Sequence, residues 1–325
     1  MGERPRDSMD AVCVGETMVL LVPDPPKPPD LASAFRREIG GAESNVAIHL
    51  SRLGRRVCWH SAIGDDAFGR FVRARIADEE VVCDCVRVAR GHRTGLYVKE
   101  FGPDGTTVAY YRDRSAATTL GPHDLAGVWR HQPRVVHTTG ITAVLSESSR
   151  SLVAGLLESA PPDVLRSFDV NYRPTLHDED AAERLLPLAR QADIVFCGLD
   201  EAKALWGAQH PEDVRDLLAG VATVIVKHGA EGAVAFRGGR SWHQPAPSVD
   251  VVEPVGAGDA FAAGVLDGML DLADLPDCLR RGARLAGEAL QVDGDLPPRA
   301  ARDHGREDGI AQVARDTERS SVPTT

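Results

Sequence analysis

Val255-Gly256-Ala257-Gly258-Asp259-Ala260-Phe261 is the stretch on which the reading of this chain turns. It follows an extended segment and leads directly into residues 260–270, an apolar run rich in small side chains that reads as a helix. The setting is therefore a strand-loop-helix junction. Small residues there let the backbone approach a ligand closely, and the free N–H groups at the helix start favour a developing negative charge. Asp259 falls in the first turn, where its carboxylate can take a proton from a bound alcohol while the amides of Gly256, Ala257 and Gly258 hold a transferring phosphoryl group. The same residues also suit an acidic helix cap after a glycine-rich turn, so other segments must decide. The spacing is not that of a dinucleotide fingerprint, whose third glycine would fall at Phe261, and the chain has no G-x-x-x-x-G-K-[ST] loop.

Upstream, strands and helices alternate. Residues 11–22 read as a strand, broken by Pro23-Asp24-Pro25-Pro26-Lys27-Pro28-Pro29, where missing N–H donors forbid regular pairing. Residues 35–39 return as a short strand, and Gly40-Gly41 opens a helix whose Val46, Leu50 and Leu53 share one face. A strand over 56–63 and a helix over 65–76 follow, the helix with Phe68, Phe71, Val72 and Ile76 on one side. Two extended runs between 94 and 112 flank Pro103-Asp104-Gly105, a hairpin signal. From 134 onward the alternation is regular, with strands at 134–138, 164–170, 193–197 and 221–227, then shorter ones at 233–236 and 241–243. Parallel pairing with helical crossovers is the economical solution. The expected fold class is α/β: one domain over 11–296, a doubly wound, mostly parallel sheet flanked by helices, with a small β lid from about 16–39 and 94–112. Segments 1–10 and 297–325 are expected to be flexible tails.

Composition sets limits. The 325 residues are 43% hydrophobic and 26% charged, enough for a large core in a soluble protein. A net charge of -11 argues against a nucleic-acid partner, although it does not exclude ATP, which a few oriented amides and one Mg²⁺ can hold. The six cysteines show no C-x-x-C spacing of the zinc type and are expected to be reduced and mostly buried. Cys83 and Cys85 would point to opposite sides of a strand, which argues against a shared metal. Residues 1–10 are charged, and no run approaches the roughly 18 to 20 apolar residues that span a bilayer. The expectation is a cytoplasmic protein with no membrane partner.

A phosphate-binding glycine turn that is neither of the two common types is found in the ribokinase-like (PfkB) carbohydrate kinases, and the chain resembles that family. Gly40-Gly41-Ala42-Glu43-Ser44-Asn45-Val46-Ala47 resembles its N-terminal signature, and residues 253–264 resemble its C-terminal one, in the expected order. The likeness runs from about residue 12 to 295. Within the family it is nearest to 2-keto-3-deoxygluconate kinases, through Thr94-Gly95-Leu96-Tyr97, Tyr110-Tyr111-Arg112, Thr139-Gly140-Ile141-Thr142 and Asp169-Val170-Asn171-Tyr172-Arg173.

The resemblance implies ATP-dependent phosphorylation of the terminal hydroxyl of that sugar acid, with Asp259 as general base and Mg²⁺ as cofactor. Gly41, Asn45, Tyr97, Tyr110, Arg112, Ile141 and Arg173 would contact the sugar. Arginine forks suit a carboxylate, and tyrosines offer ring face and hydroxyl. Lys227, Gly229 and Gly232, in a turn after a strand, resemble residues beside the nucleotide, as do Gly256, Gly258 and the late Asp295; an ordinary β-turn explains Lys227-His228-Gly229-Ala230-Glu231-Gly232 nearly as well. Glu201 matches a glutamate that organises Mg²⁺ through water, although Gly198 stands where the family has Asn. Glu253 replaces the usual Asp in a region associated with a monovalent cation, which leaves K⁺ activation open, and His177 replaces a frequent Trp. The rival readings are a fructokinase- or ribokinase-type enzyme, or a catalytically silent sugar-binding or regulatory protein of the same fold. Exposed lid edges suggest a homodimer.

Overall fold

The computed structural model describes residues 8–102, 105–176, 179–292 and 294–297. Pro103 and Asp104 of the hairpin signal, His177, and residues 1–7 and 298–325 of the expected tails lie outside the described residues. In chain order the strands are β1 (Ala11–Val14), β2 (Met18–Pro23), β3 (Phe35–Gly40), β4 (Val57–His60), β5 (Ala62–Gly64), β6 (Arg87–Ala89), β7 (Leu96–Gly102), β8 (Gly105–Tyr111), β9 (Val135–Thr139), β10 (Leu165–Asp169), β11 (Ile194–Gly198), β12 (Thr223–Lys227), β13 (Ala233–Arg237) and β14 (Arg240–Gln244). The helices are α1 (Ala42–Arg52), α2 (Ala67–Ala77), α3 (Leu125–Trp129), α4 (Gly140–Val144), α5 (Glu147–Glu158), α6 (Ala181–Ala189), α7 (Leu199–Trp206), α8 (Pro211–Leu217), α9 (Ala257–Leu270) and α10 (Leu275–Ala289).

Eight strands form the main sheet in the order β14-β13-β12-β11-β10-β9-β1-β4. Every pair from β4 to β12 is parallel, and β13 and β14 add an antiparallel edge. β1, β4, β9 and β11 are buried throughout, as strands covered by helices on both faces must be. The chain leaves β1 toward β4 on one side and later returns through β9 on the other. The order therefore reverses beside β1, and in sheets of this kind ligands bind at the carboxyl ends of the strands at such a point.

A second sheet, β3-β2-β7-β8, pairs β2 with β7 in parallel and the rest antiparallel, with Val19 opposite Ile39 and Tyr97 opposite Tyr110. The alternate residues Met18, Leu20 and Val22 bury one face with Tyr97. The run 56–63 is two strands rather than one: β4 joins the main sheet, while β5 pairs with β6 after a break at Ser61. Asp66 caps α2 by accepting from Gly69 N at 2.7 Å.

Two sequence expectations need correction. Met9 is buried, its amide donating to His131 O at 2.9 Å, so the fold begins before residue 11. Cys85 lies in a turn rather than a strand, and its sulfur is placed against Cys58 as a disulfide, while Cys13, Cys83, Cys197 and Cys278 are free and buried. Among the described residues no helix is long and apolar enough to cross a membrane.

Candidate active site

Gly256 is the N-cap of α9 and holds φ at +81°, a left-handed conformation that glycine adopts without strain. A side chain there would also run into the backbone oxygen of Asp295. The turn aims the α9 N-terminus, with Ala257 and Gly258 in it, at the carboxyl ends of the strands. Asp259 occupies the first turn, partly accessible on one side and otherwise enclosed by protein. Burial, foremost, pushes its carboxyl up to about 7; the Asn45 hydrogen bond and Lys227 oppose the rise, and the carboxylates of Asp169 and Asp295 add to it. That value suits a group that must accept a proton near neutral pH.

Asn45 comes from α1, which Glu43 anchors one residue pair earlier. The buried Glu43 carboxylate accepts from Thr139 Oγ1 at 2.8 Å and Thr142 Oγ1 at 2.6 Å, tying α1 to the start of α4. Asn45 Nδ2 then donates to Asp259 Oδ2 at 2.9 Å and to Asp295 Oδ2 at 3.3 Å. Its Oδ1 is buried with no hydrogen-bond partner among the described residues. Gly40 and Gly41 bring the backbone close: a side chain at Gly40 would strike the Tyr97 hydroxyl and at Gly41 the Glu16 backbone oxygen. Tyr97 stacks on Tyr110 with ring centroids 5.6 Å apart, and the Arg112 guanidinium lies 5.8 Å from the Tyr110 ring. Ile141 sits at the start of α4, its amide donating to Thr139 Oγ1.

On the other flank Lys227 ends β12. Its ammonium lies 2.8 Å from Asp169 Oδ2 and within 3.5 Å of where a Gly258 side chain would begin. Burial disfavours that charge, but Asp169 and Glu201 outweigh it and hold Lys227 above its ordinary range. Glu201 caps α7 through Gly198 N at 2.7 Å and meets Arg173 Nη1 at 3.3 Å; burial raises its pKa against the pull of Lys227. Gly229 and Gly232 shape the turn from β12 to β13, and Gly232, at φ +101°, has no room for a side chain beside Gln244 O.

The expected residues thus fall into two connected groups. Asn45, Asp259, Tyr97, Tyr110 and Arg112 line one arm, and Lys227, Glu201 and Arg173 the other, with Gly256 to Gly258 between them. Three placements differ from expectation. Asp295 lies with Asn45 and the Tyr97 hydroxyl, because the segment after α10 crosses back over Gly256. Burial lifts its carboxyl to about 6. Arg112 is paired with Glu16, which also accepts from Ser115 Oγ, although Arg112 Nε is buried without a partner among the described residues. Arg173 is 48% exposed and turns toward Glu201 rather than the tyrosines. Sequence reasoning assigned no role to Asp169 or Glu16. Glu16 just follows β1 at the reversal point, and Asp169 ends β10 two strands away on the same carboxyl edge, a signal that was available.

The carboxylates of Glu201 and Asp169 already meet cations directly, so they fit a hydrated Mg²⁺ held through water rather than a bare ion. Glu253 is paired with Lys99 from β7, so the region associated with a monovalent cation already carries an ammonium.

Comparison with known proteins places the chain in a family. Residues 9–300 match the pfkB family of carbohydrate kinases. A 2-dehydro-3-deoxygluconokinase of Bacillus subtilis is 35% identical over 300 residues, covering 89% of this chain and 91% of that protein. A 2-dehydro-3-deoxygalactonokinase of Haloferax volcanii is 33% identical, covering 88% and 92%. The crystal structure of a PfkB protein from Polaromonas sp. JS666 superposes with a TM-score of 0.80 at 36% identity, covering 87% of this chain and 96% of that one. The chain belongs to the pfkB family of carbohydrate kinases.

Proposed function

We propose that this kinase transfers the γ-phosphoryl group of ATP to the terminal hydroxyl of 2-keto-3-deoxygluconate, with Asp259 as the general base. The observation that carries the reading is the Asp259 carboxyl at the N-terminus of α9, held near neutrality by burial and oriented by Asn45. Asp259 takes the hydroxyl proton as the sugar oxygen forms its bond to phosphorus and the bond to the β-phosphate oxygen breaks. The Gly256 to Gly258 amides and the helix dipole receive the phosphoryl charge, and Lys227 adds a fixed positive charge beside Gly258. Glu201 and Asp169 would hold Mg²⁺ through water, and the ion would neutralise charge on the ATP phosphates.

The sugar would lie between the Asn45-Asp259 pair and the Tyr97-Tyr110-Arg112 wall. The second sheet would act as a lid that excludes water and limits hydrolysis of ATP. The sugar acid is supported by the names of relatives in Bacillus subtilis and Thermoproteus tenax and by the free Nε of Arg112. The exposed Phe35, Val108 and Tyr111 of the lid sheet support pairing of two lids in a homodimer, and ATP use suits the cytoplasm. A kinase for a neutral sugar is the second reading, favoured by one observation: Glu16 neutralises Arg112.

A coupled ADP-release assay with ATP and Mg²⁺ against 2-keto-3-deoxygluconate, its galactose epimer, fructose and ribose separates the two, with Asp259→Asn as control. Turnover on the acids that is lost in the variant supports the proposal. Turnover on fructose or ribose alone rejects the sugar acid, and turnover that survives Asp259→Asn rejects the base.

A further inference from the structure

The cysteine pair lies outside this chemistry. Cys58 is on β4, the edge strand of the main sheet; Cys85 is in the turn between α2 and β6; His131 follows α3. One ligand atom from each, together with a carboxylate oxygen of Asp84, gives four donors that all lie within 4.8 Å of one another. We infer that Cys58, Asp84, Cys85 and His131 form a structural binding site for a divalent cation of the zinc class.

The backbone favours a metal over a covalent sulfur pair. The Cα atoms of Cys58 and Cys85 are 7.5 Å apart, beyond the roughly 4.4–6.8 Å span of disulfides. An ion between the sulfurs lets them separate while the backbone stays where it is. The other distances suit a tetrahedron: Cys58 Sγ is 3.8 Å and Asp84 Oδ1 3.7 Å from His131 Nε2. Metal bonds of about 2.0–2.3 Å at tetrahedral angles put neighbouring donors at about that separation.

The donor chemistry selects the ion. Two thiolates, an imidazole and one carboxylate suit zinc far better than Mg²⁺ or Ca²⁺, which prefer oxygen. Arg130 Nε donates to His131 Nε2 at 3.4 Å, a long contact that the ion would replace as partner of that nitrogen's lone pair. Two thiolates, a carboxylate and a divalent ion sum to one negative charge, and Arg130 stands 3.6 Å from Asp84 Oδ2 to offset it. Cys58 and His131 are buried and Cys85 is half-buried, while Asp84 is exposed and leaves the ion a route in from solvent. With four protein ligands no position is open for substrate, so the site is structural. It would clip the sheet edge to two loops and, through the His131 backbone oxygen, to Met9.

The test is metal analysis of the full-length protein, purified under reducing conditions from zinc-supplemented cells, beside Cys85→Ser and His131→Ala. The inference expects one zinc per chain in the wild type and a loss of at least ten-fold in occupancy in both variants. Should either variant fail to fold, cobalt substitution of the wild type reads the same site: a sulfur-to-metal charge-transfer band is expected, removed by a chelator. Equal zinc in all three proteins overturns the inference, as does cobalt protein without that band. An intact mass lacking two hydrogens, with no zinc, also overturns it and assigns a disulfide.

Discussion

Asn45 Nδ2 and Asp259 Oδ2 meet at 2.9 Å across 214 residues of sequence, joining the first helix of the fold to the glycine turn at the start of α9. The bond favours the ionised carboxylate and partly offsets the burial that pushes Asp259 up to about 7. A base must be unprotonated to act, so kcat/KM should rise with pH through a single ionisation near 7 and level off above it. Asn45→Ala removes a contact that lowers the pKa, so the rising limb should move to higher pH. A pH-rate profile of both proteins checks this. A limb unmoved by the substitution would show that Asp259 is not the group being titrated.

Asp259 should also cost stability. Its folded pKa of about 7 exceeds the unfolded value near 3.8, so the native state binds more protons between those limits. The raised pKa therefore lowers stability as pH rises from about 4 to 7. Asp259→Asn should cut kcat by about 100- to 10,000-fold while stabilising the fold at pH 8 by about 1–2 kcal/mol, a figure discounted for solvent access. Turnover and urea melts at pH 8 and pH 4 test both halves, with the stability gain absent at the lower pH.

Gly256→Ala places a methyl group where φ is +81° and the Asp295 backbone oxygen is in the way. The left-handed conformation alone costs about 1–2 kcal/mol for an alanine, and relief of the clash must shift the turn or the segment after α10. Either movement misaims the amides, so kcat should fall by at least about 100-fold. Far-UV circular dichroism and turnover measured together separate this from unfolding.

Lys227→Met leaves the buried Asp169 without its partner, which should destabilise the protein by about 3–5 kcal/mol. It also removes a charge that lowers the Asp259 pKa, so the surviving activity should titrate at higher pH than wild type. Lys227→Arg, which keeps the charge, should restore most of the stability and less of the rate, because a fork does not replace a point charge at the same distance. Melts and pH profiles of the two variants show whether charge or shape matters more.

The sequence was informative where a pattern is local. The α9 turn, the α1 start and the βα alternation announce themselves through glycine positions and apolar spacing, and the sheet follows from them. The two-strand split at Ser61 did not show, because both halves are apolar and only tertiary pairing tells β4 from β5. Contacts between distant segments were also hidden. The last segment folds back over Gly256, so Asp295 joins Asn45, 250 residues away. Cys58 and Cys85 meet because β4 and the turn before β6 share an edge, whereas spacing alone directed attention to Cys83 and Cys85.

Glu16 and Arg112, 96 residues apart, set the last prediction. A half-buried arginine paired with a carboxylate is held in one orientation, and its Nε, unpartnered among the described residues, marks a donor direction a ligand can fill. If that ligand is the substrate carboxylate, Arg112→Ala should cost at least about 2–3 kcal/mol in kcat/KM for the sugar acid, with much less effect on fructose. The substitution also strands buried Glu16, so folding must be checked by thermal melts. Glu16→Gln keeps shape and hydrogen bonding while freeing the arginine charge. It should hold or lower KM for the acid and leave kcat nearly unchanged, since Glu16 touches no reacting atom. A rise in KM for neutral and acidic sugars alike in both variants would instead make the pair a brace for the lid sheet, with no part in recognising charge.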